Sequence, residues 1–583
     1  MARRDRWEFA SGIRRDRLME LATEFSKGVR ISGSSDEAKV LDFAASELEH
    51  LGFSVHRESC EALVGYPVAS RLETLEPERR EIVCNGYSLS PATPPEGVIG
   101  ELVDVDLGAE SDYEGREVQG RVVLSTGLAM PGKAVVADRT QPLGQIHVND
   151  ERIHEMCVSQ VWGTPEPHNA GQLPKTPAVG ITAADGERLR AMLNRGRVIV
   201  RLVTQPYLDW RPIPTLTADV PGTVDDSFIL FSGHIDSWHH GAMDNGSANA
   251  VQLAIAELLA GARSELRRGI RLAFWSGHSH GRYAGSSWYA DNHWQELYDR
   301  CRCHVNIDSV GGRGADVLSE APTMAETHGF AAGLIRDGAD QELRYRRISR
   351  SGDQSFWGIG FPSLFSTLSE QRATGSATEA AQAELLGSTS SSGGLGWWWH
   401  TTEDTLDKLD PAFLERDARI YGAALWDLCT RSRLPFDFAA TAREIGQLAG
   451  RHSEAARGAL DLSAVETLAG ELASSVHRLQ EATEPSDDRV NKVLADLGHV
   501  LIPVNYTASG PFHQDPALST PGLPGLAAAV RLGELAAGDP ERRYLSTSLL
   551  RERNRIIWAL SAAQGIVEEA LDRFSSTSAK PVS

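Results

Sequence analysis

Apolar positions in residues 35–53, "SDEAKVLDFAASELEHLGF", recur at helical spacing through Val40, Leu41, Phe43, Ala44, Leu48 and Leu51. That spacing predicts an amphipathic helix. Ser35, ahead of Asp36 and Glu37, suits its N-terminus. "SVHRES" then reads as a strand. From about 62 to 205 the pattern changes to short β-like runs ("EIVCNGY", "GVIGELVDV", "GRVVLST", "AVVAD", "PAVGIT", "RVIVRLVT") separated by Gly, Pro and Asp. These predict a separate β-rich module. From about 206, strand and helix alternate. "SFILFSGHID", "GIRLAFWSG" and "CHVNIDSVG" are strands; "GSANAVQLAIAELLAGA" and "GSSWYADNHWQELYDR" are helices. Alternation of this kind implies an α/β fold with a mostly parallel sheet covered on both faces.

Residues 373–399 are rich in small residues and end in Trp397, Trp398 and Trp399. The Ser/Gly part predicts a mobile loop. The tryptophans fit a substrate wall or ordinary packing. After about 435 the periodicity is helical in "AATAREIGQLAGRH", "SAVETLAGELASSVHRLQEA" and "SLLRERNRIIWALSAAQGIVEEALDRF". Between them the Pro/Gly-rich "LIPVNYTASGPFHQDPALSTPGLPGL" predicts a long irregular connection.

The 583 residues, 41% of them hydrophobic, exceed one ordinary domain and suggest two or three. A net charge of −21 argues against nucleic acid and against an anionic membrane surface as partners. The six cysteines form no CxxC pair, so neither a disulfide framework nor a zinc knuckle is expected. The N-terminus is charged throughout, without the apolar core of a secretory signal. With no apolar run long enough to span a bilayer, a cytoplasmic protein is expected.

Ligands of open α/β sheets bind at the carboxyl ends of the strands. "ILFSGHID" brings His234 and Asp236 there, "LAFWSGHSH" brings His278 and His280, and "HVNIDSVG" brings Asp308. Asp244 in "GAMDNGS" and His400 in "WWWHTTEDTLD" stand in loops. Singly, each has an ordinary explanation: Asp244 as a helix N-cap, a strand-end histidine as a satisfied polar group. Together at one sheet edge they form a donor set suited to zinc or a similar divalent ion.

Four motifs in order, "GHIDSWHHGAMDNGSANA", "FWSG" with "GSSWY", "NIDSVG" and "HTTEDTLDKLD", resemble the zinc aminopeptidase and glutamate carboxypeptidase family of co-catalytic metallopeptidases. They are most similar to the branch that includes the transferrin receptor. The resemblance implies a zinc-exopeptidase-like domain from residues 1–61 and 206–434. It further implies a protease-associated β-rich insert at 62–205 and a helical dimerisation domain at 435–583, hence a homodimer. It implies that His234 and Asp308 bind one metal, that Asp244 bridges two, and that His400 binds the second. Asp236 would orient His234 from behind, and the Asp244–Asn245 peptide would be cis.

Family members carry two adjacent glutamates after "FW", a general base and a ligand of the second metal. Here His278 and Ser279 occupy those positions. An imidazole titrates near neutrality and can serve as a base, so His278 is the candidate base, and His278 or His280 a candidate nitrogen ligand. Arg282, Tyr283 and Arg313 stand near the site in sequence, and a guanidinium there suits a substrate carboxylate. Asp353 in "SGDQSFWGIGFPSL" lies in a segment similar to the family's substrate pocket. The expected function is metal-dependent hydrolysis of an amide or peptide bond in a small peptide or N-acyl compound. The cofactor is one or two divalent ions, zinc first, with iron, nickel or copper also compatible. The alternatives are a lyase-type reaction in the same pocket and a non-catalytic, transferrin-receptor-like binding protein.

Overall fold

The structure, a computed structural model, describes residues 4–386, 392–484 and 488–578. Its backbone is organised around two unusually long strands, Ser54–Glu76 and Ile199–Val220, paired antiparallel from Ser54 opposite Asp219 to Glu76 opposite Ile199. At about 3.3 Å per residue the ribbon is roughly 70 Å long. One end of Ile199–Val220 pairs antiparallel with Gly269–Trp275, the other with Val98–Asp104. A single mixed sheet results. Phe228–His234 lies parallel to both Gly269–Trp275 and Cys301–Asn306, and Ser363–Leu364 adds a parallel edge. On the far side Val98–Asp104, Val122–Thr126, Gly144–Val148 and Ala178–Ile181 are parallel.

The sequence pattern predicts only the first part of Ile199–Val220, because Pro206, Pro212 and Pro214 interrupt it. Those prolines sit where the strand has only Ser54–Glu76 as a neighbour, since Gly269–Trp275 and Val98–Asp104 take up its two ends. A missing N–H costs little on such an open edge.

Phe228–His234 and Gly269–Trp275 are buried at every position, as expected of strands covered on both faces. Helix Ala248–Gly261 is buried over most of its length, with Val251, Ile255 and Leu259 in the same core as Leu18, Phe231 and Tyr421. The single helix expected from "GSSWYADNHWQELYDR" is two, Ala284–Asn292 and Trp294–Arg300. They break at His293, whose ring stacks on Tyr289 and meets the Glu58 carboxylate at 3.1 Å.

The segment around Val98–Ile181 has its own core of Leu102, Val122, Ile146, Val179 and Leu202. "AVVAD", expected as a strand, lies in helix Pro131–Arg139, which Pro131 opens and which buries Ala134 and Ala137. Part of the expected Ser/Gly loop is likewise helical, Ala377–Leu386, and residues 387–391 lie outside those described.

The C-terminal region is helical: Phe438–Ala455, Ser463–Glu481, Val490–Tyr506 and Pro540–Ser578. The irregular connection begins later than its prolines suggest. Helix Val490–Tyr506 runs through Pro503, although an interior proline costs about 3 kcal/mol. Leu501, Ile502, Val504 and Tyr506 are all buried there, and the Arg347 guanidinium lies 3.6 Å from the Tyr506 ring centroid. No helix among the described residues is long and apolar enough to cross a membrane. All six cysteines are free.

Glu326 fastens these helices to the α/β domain. Its carbonyl accepts the Asp437 N–H, and its carboxyl accepts the Thr441 hydroxyl at 2.7 Å. Burial pushes this carboxyl up to about 7 from 4.5. A folded-state value raised in this way gives a contribution that is whole below pH 4.5 and lost as pH rises through about 7. Glu326→Gln removes the titration. The variant should therefore gain about 3 kcal/mol on its parent between pH 5 and pH 8. Denaturant unfolding at the two pH values measures this, and an identical difference at both would contradict it.

Candidate metal centre

His234 is the last residue of Phe228–His234, and Asp308 follows Cys301–Asn306 by two residues. His278 stands in the turn after Gly269–Trp275. Asp244 lies in the tight turn Ala242–Ser247 before helix Ala248–Gly261, and His400 in the loop ahead of helix Pro411–Thr430. Four of the five come from the carboxyl side of adjacent parallel strands, where the fold leaves a crevice. Gly241 is required for the Asp244 turn: its φ is +50°, and a Cβ there would lie 2.2 Å from the Asp244 carbonyl.

Asp244 stands between two imidazoles. Its Oδ1 is 2.9 Å from His234 Nε2 and its Oδ2 is 2.9 Å from His400 Nε2, while Asp308 Oδ1 is 3.6 Å from His234 Nε2. The other ring nitrogens face backbone carbonyls: His234 Nδ1 donates to Asp236 at 2.9 Å and His400 Nδ1 to Glu155 at 2.8 Å. A carbonyl only accepts, so each ring carries its proton on Nδ1 and turns the Nε2 lone pair toward carboxylate oxygen. Lone pairs facing lone pairs need a cation between them. His234 Nε2 is buried and makes no hydrogen bond. The residues therefore fit a divalent metal: His234, Asp244 and Asp308 would hold one ion, and Asp244 with His400 a second. The Asp244–Asn245 peptide is cis.

Several residues that fix this arrangement escape sequence reasoning. Asp404 accepts the N–H groups of Met243 at 2.8 Å and Asp244 at 3.0 Å, and burial pushes its carboxyl up to about 7. The buried Arg30 guanidinium donates to the carbonyls of Ile235, His240 and Gly241 at 2.8–3.0 Å, bracing the same turn from the N-terminal segment. Glu155 exchanges two bonds with His400: its N–H donates to the His400 carbonyl at 2.8 Å, and its carbonyl receives the His400 ring. Asp236 accepts the Ser279 N–H at 2.9 Å and the Ser32 hydroxyl at 2.8 Å, so it holds the histidine turn as well as flanking His234.

In that turn the two histidines diverge. His278 stacks on His234, with ring centroids 3.8 Å apart, and its Nδ1 donates to Asp353 Oδ2 at 2.7 Å. The potential ligand atoms of His234, His278 and Asp308 all lie within 4.8 Å of one another. His280, expected as an alternative ligand, is outside that group. Its Nδ1 lies 3.0 Å from Ser32 Oγ and 3.4 Å from Asp236 Oδ2, behind the site. Ser279 Oγ is buried without a hydrogen-bond partner.

Arg282 and Tyr283 line the cavity over the cluster, together with Trp238, Thr367, Leu395 and Trp399. Arg282 is buried and forms no ion pair among the described residues; its Nη2 donates to the Ala517 carbonyl at 3.3 Å. Arg313, expected beside it, is exposed and lies outside the cavity wall, because the two glycines carry the chain outward to the Lys408 carbonyl. Asp353 reaches the site through His278 and also accepts the Ser286 hydroxyl. Of the three tryptophans, Trp399 stacks on His400 and forms cavity wall, Trp398 packs on Met243, and Trp397 is half-exposed.

The family model for peptidase family M28 matches residues 215–425. Carboxypeptidase Q of Bos taurus is 26% identical over 280 residues, 45% of this chain and 58% of its own length. The match thus spans little more than half of that relative. Aminopeptidase YwaD of Bacillus subtilis is 23% identical over 430 residues, 70% of this chain and 83% of its own. Among solved structures, a peptidase M28 precursor from Shewanella amazonensis superposes with TM-score 0.57 at 20% identity, covering 74% of this chain and 96% of its own. The zinc aminopeptidase of Bacillus subtilis superposes with TM-score 0.52 at 21% identity, covering 72% and 97%. These likenesses establish the fold. With the histidine–aspartate cluster inside the matched segment, the chain carries a peptidase family M28 domain over residues 215–425.

Proposed function

We propose that the protein is a metal-dependent hydrolase of an amide or peptide bond in a small peptide or N-acyl compound, with His278 in place of the family's usual glutamate base. One observation carries this reading. The Asp244-centred ligand set is complete on the His234 side, and the base position is filled by an imidazole held by Asp353 at 2.7 Å. Zinc suits the mixed imidazole and carboxylate donors, and an ion held there supplies Lewis acidity to the scissile carbonyl. With its Nδ1 proton on Asp353, His278 presents Nε2 to take a proton from the attacking water. Asp353 then stabilises the imidazolium that forms. Arg282, buried and without a carboxylate partner, would receive a carboxylate of the substrate. Tyr283 and Trp399 narrow the cavity and exclude bulk water.

The same reading treats 62–205 as a protease-associated insert and 435–583 as a dimerisation domain. The separate core of the first and the exposed Tyr544 and Trp558 on helix Pro540–Ser578 support it.

Metal analysis of the purified protein, with a screen of dipeptides and N-acyl amino acids, tests the proposal. At least one tightly bound divalent ion per chain is expected; less than about half an equivalent would sink it. Each active substrate should also be offered with its carboxylate converted to an amide. Arg282→Met should raise KM about 10- to 100-fold for the acid and leave the amide unchanged, the loss expected of one charged hydrogen bond.

A further inference from the structure

A second group of metal-binding side chains lies away from this centre. Glu166 and His168 belong to the segment ahead of strand Ala178–Ile181, and His513 to the connection between helices Val490–Tyr506 and Pro540–Ser578. His168 Nδ1 is 3.1 Å and His513 Nδ1 3.5 Å from the same oxygen, Glu166 Oε1. The two rings meet edge to face at 5.5 Å. One ligand atom from each residue falls within 4.8 Å of the others. We propose that Glu166, His168 and His513 bind a second metal ion, of the zinc, nickel or copper type, independently of the reaction at Asp244.

The ordinary alternative is two neutral rings donating Nδ1–H to the shared oxygen; a cation would instead bind both ring nitrogens and that oxygen together, and zinc titration separates the two. The ligands also stand on fixed frames. Glu166 is locked in a turn: its N–H donates to Asn169 Oδ1 at 2.8 Å and its carbonyl accepts the Asn169 and Ala170 N–H groups. On the other side Asp515 accepts the Ala508 and Ser509 N–H groups, and the Gln514 side chain donates to the Ser355 carbonyl. Nitrogen and carboxylate donors of this kind suit transition ions better than magnesium or calcium.

The position gives such an ion a consequence. Ala517, four residues beyond His513, donates its N–H to the Gln160 carbonyl at 2.8 Å and accepts Arg282 through its own carbonyl. Trp162, Tyr283 and Ala517 share one small core. An ion on Glu166, His168 and His513 therefore clamps together the two segments that close over Arg282.

Calorimetric titration of the chelator-stripped full chain with zinc chloride tests the assignment. The parent should bind one more zinc per chain, at micromolar affinity, than His168→Ala/His513→Ala. The same step should survive in Asp244→Ala. Copper titration followed by electron paramagnetic resonance should show nitrogen coupling that the double variant lacks. Equal zinc stoichiometry in parent and double variant, or an extra step that appears only at millimolar zinc, would overturn the proposal. Both substitutions are on exposed side chains, so the comparison stands even if Asp244→Ala fails to fold.

Discussion

Asp244→Ala protein should fold, lose metal from the His234–His400 centre, and turn over substrate at least about 1,000-fold more slowly than its parent. The Asp244 carboxylate joins the two imidazoles, with one oxygen 2.9 Å from His234 and the other 2.9 Å from His400. Removing it leaves His234 with Asp308 alone and His400 with no anionic partner in the cluster. Neither proposed ion position then keeps enough donors. Asp244→Asn is the stricter variant, because it preserves shape and removes only the charge that bridges. Metal content and near-ultraviolet circular dichroism on the same samples separate loss of the ion from loss of the fold. Activity within about tenfold of the parent in a metal-depleted variant would remove Asp244, and the ions it is proposed to bridge, from the reaction.

His278→Ala should behave differently. It should lose about 100- to 10,000-fold in kcat, the usual worth of a positioned general base, while keeping metal at the His234 site. The distinction rests on geometry. His278 stacks on His234, but its fixed hydrogen bond is to Asp353, so its loss removes a proton acceptor rather than the bridging carboxylate. Asp353→Asn, which leaves the imidazole in place without its anionic partner, should show a smaller loss of the same kind. Conversion to the family's usual residue, His278→Glu, should recover part of the rate and change the pH dependence of kcat/KM. Wild-type turnover in His278→Ala would show that the proton goes elsewhere. Loss of metal together with activity would make His278 a ligand instead.

The strand ends were legible because their pattern is local. Four apolar residues, then Ser-Gly-His, mark His234 and His278, and the alternating "HVNID" marks Asp308, without tertiary information. The helices that sequence periodicity predicts also form, since Val40, Leu41 and Leu48 bury the expected face. What stayed hidden is non-local. Arg30 reaches the Asp244 turn from about 200 residues away. Glu155 meets His400 across 245 residues. Nothing in the spacing of either announces those contacts. Asp404 stood in a quoted motif, yet its role depends on two backbone N–H groups that only the folded loop aims at it. His280 and His278 alternate around one serine, and periodicity alone could not say which would face Asp308. The Asp236 carboxylate decides it, by holding the Ser279 N–H and facing the His280 ring.

The exchange between Glu155 and His400 has a consequence for how the chain can be divided. A fragment cut to the family-matched residues 215–425 would contain His234, Asp244, Asp308 and His400. It would lack the carbonyl that dictates which nitrogen of His400 is free to meet Asp244. The smallest autonomous unit of this chemistry is therefore larger than the smallest recognisable one. In this chain, grafting or trimming at the obvious seam would carry the ligands away and leave their alignment behind.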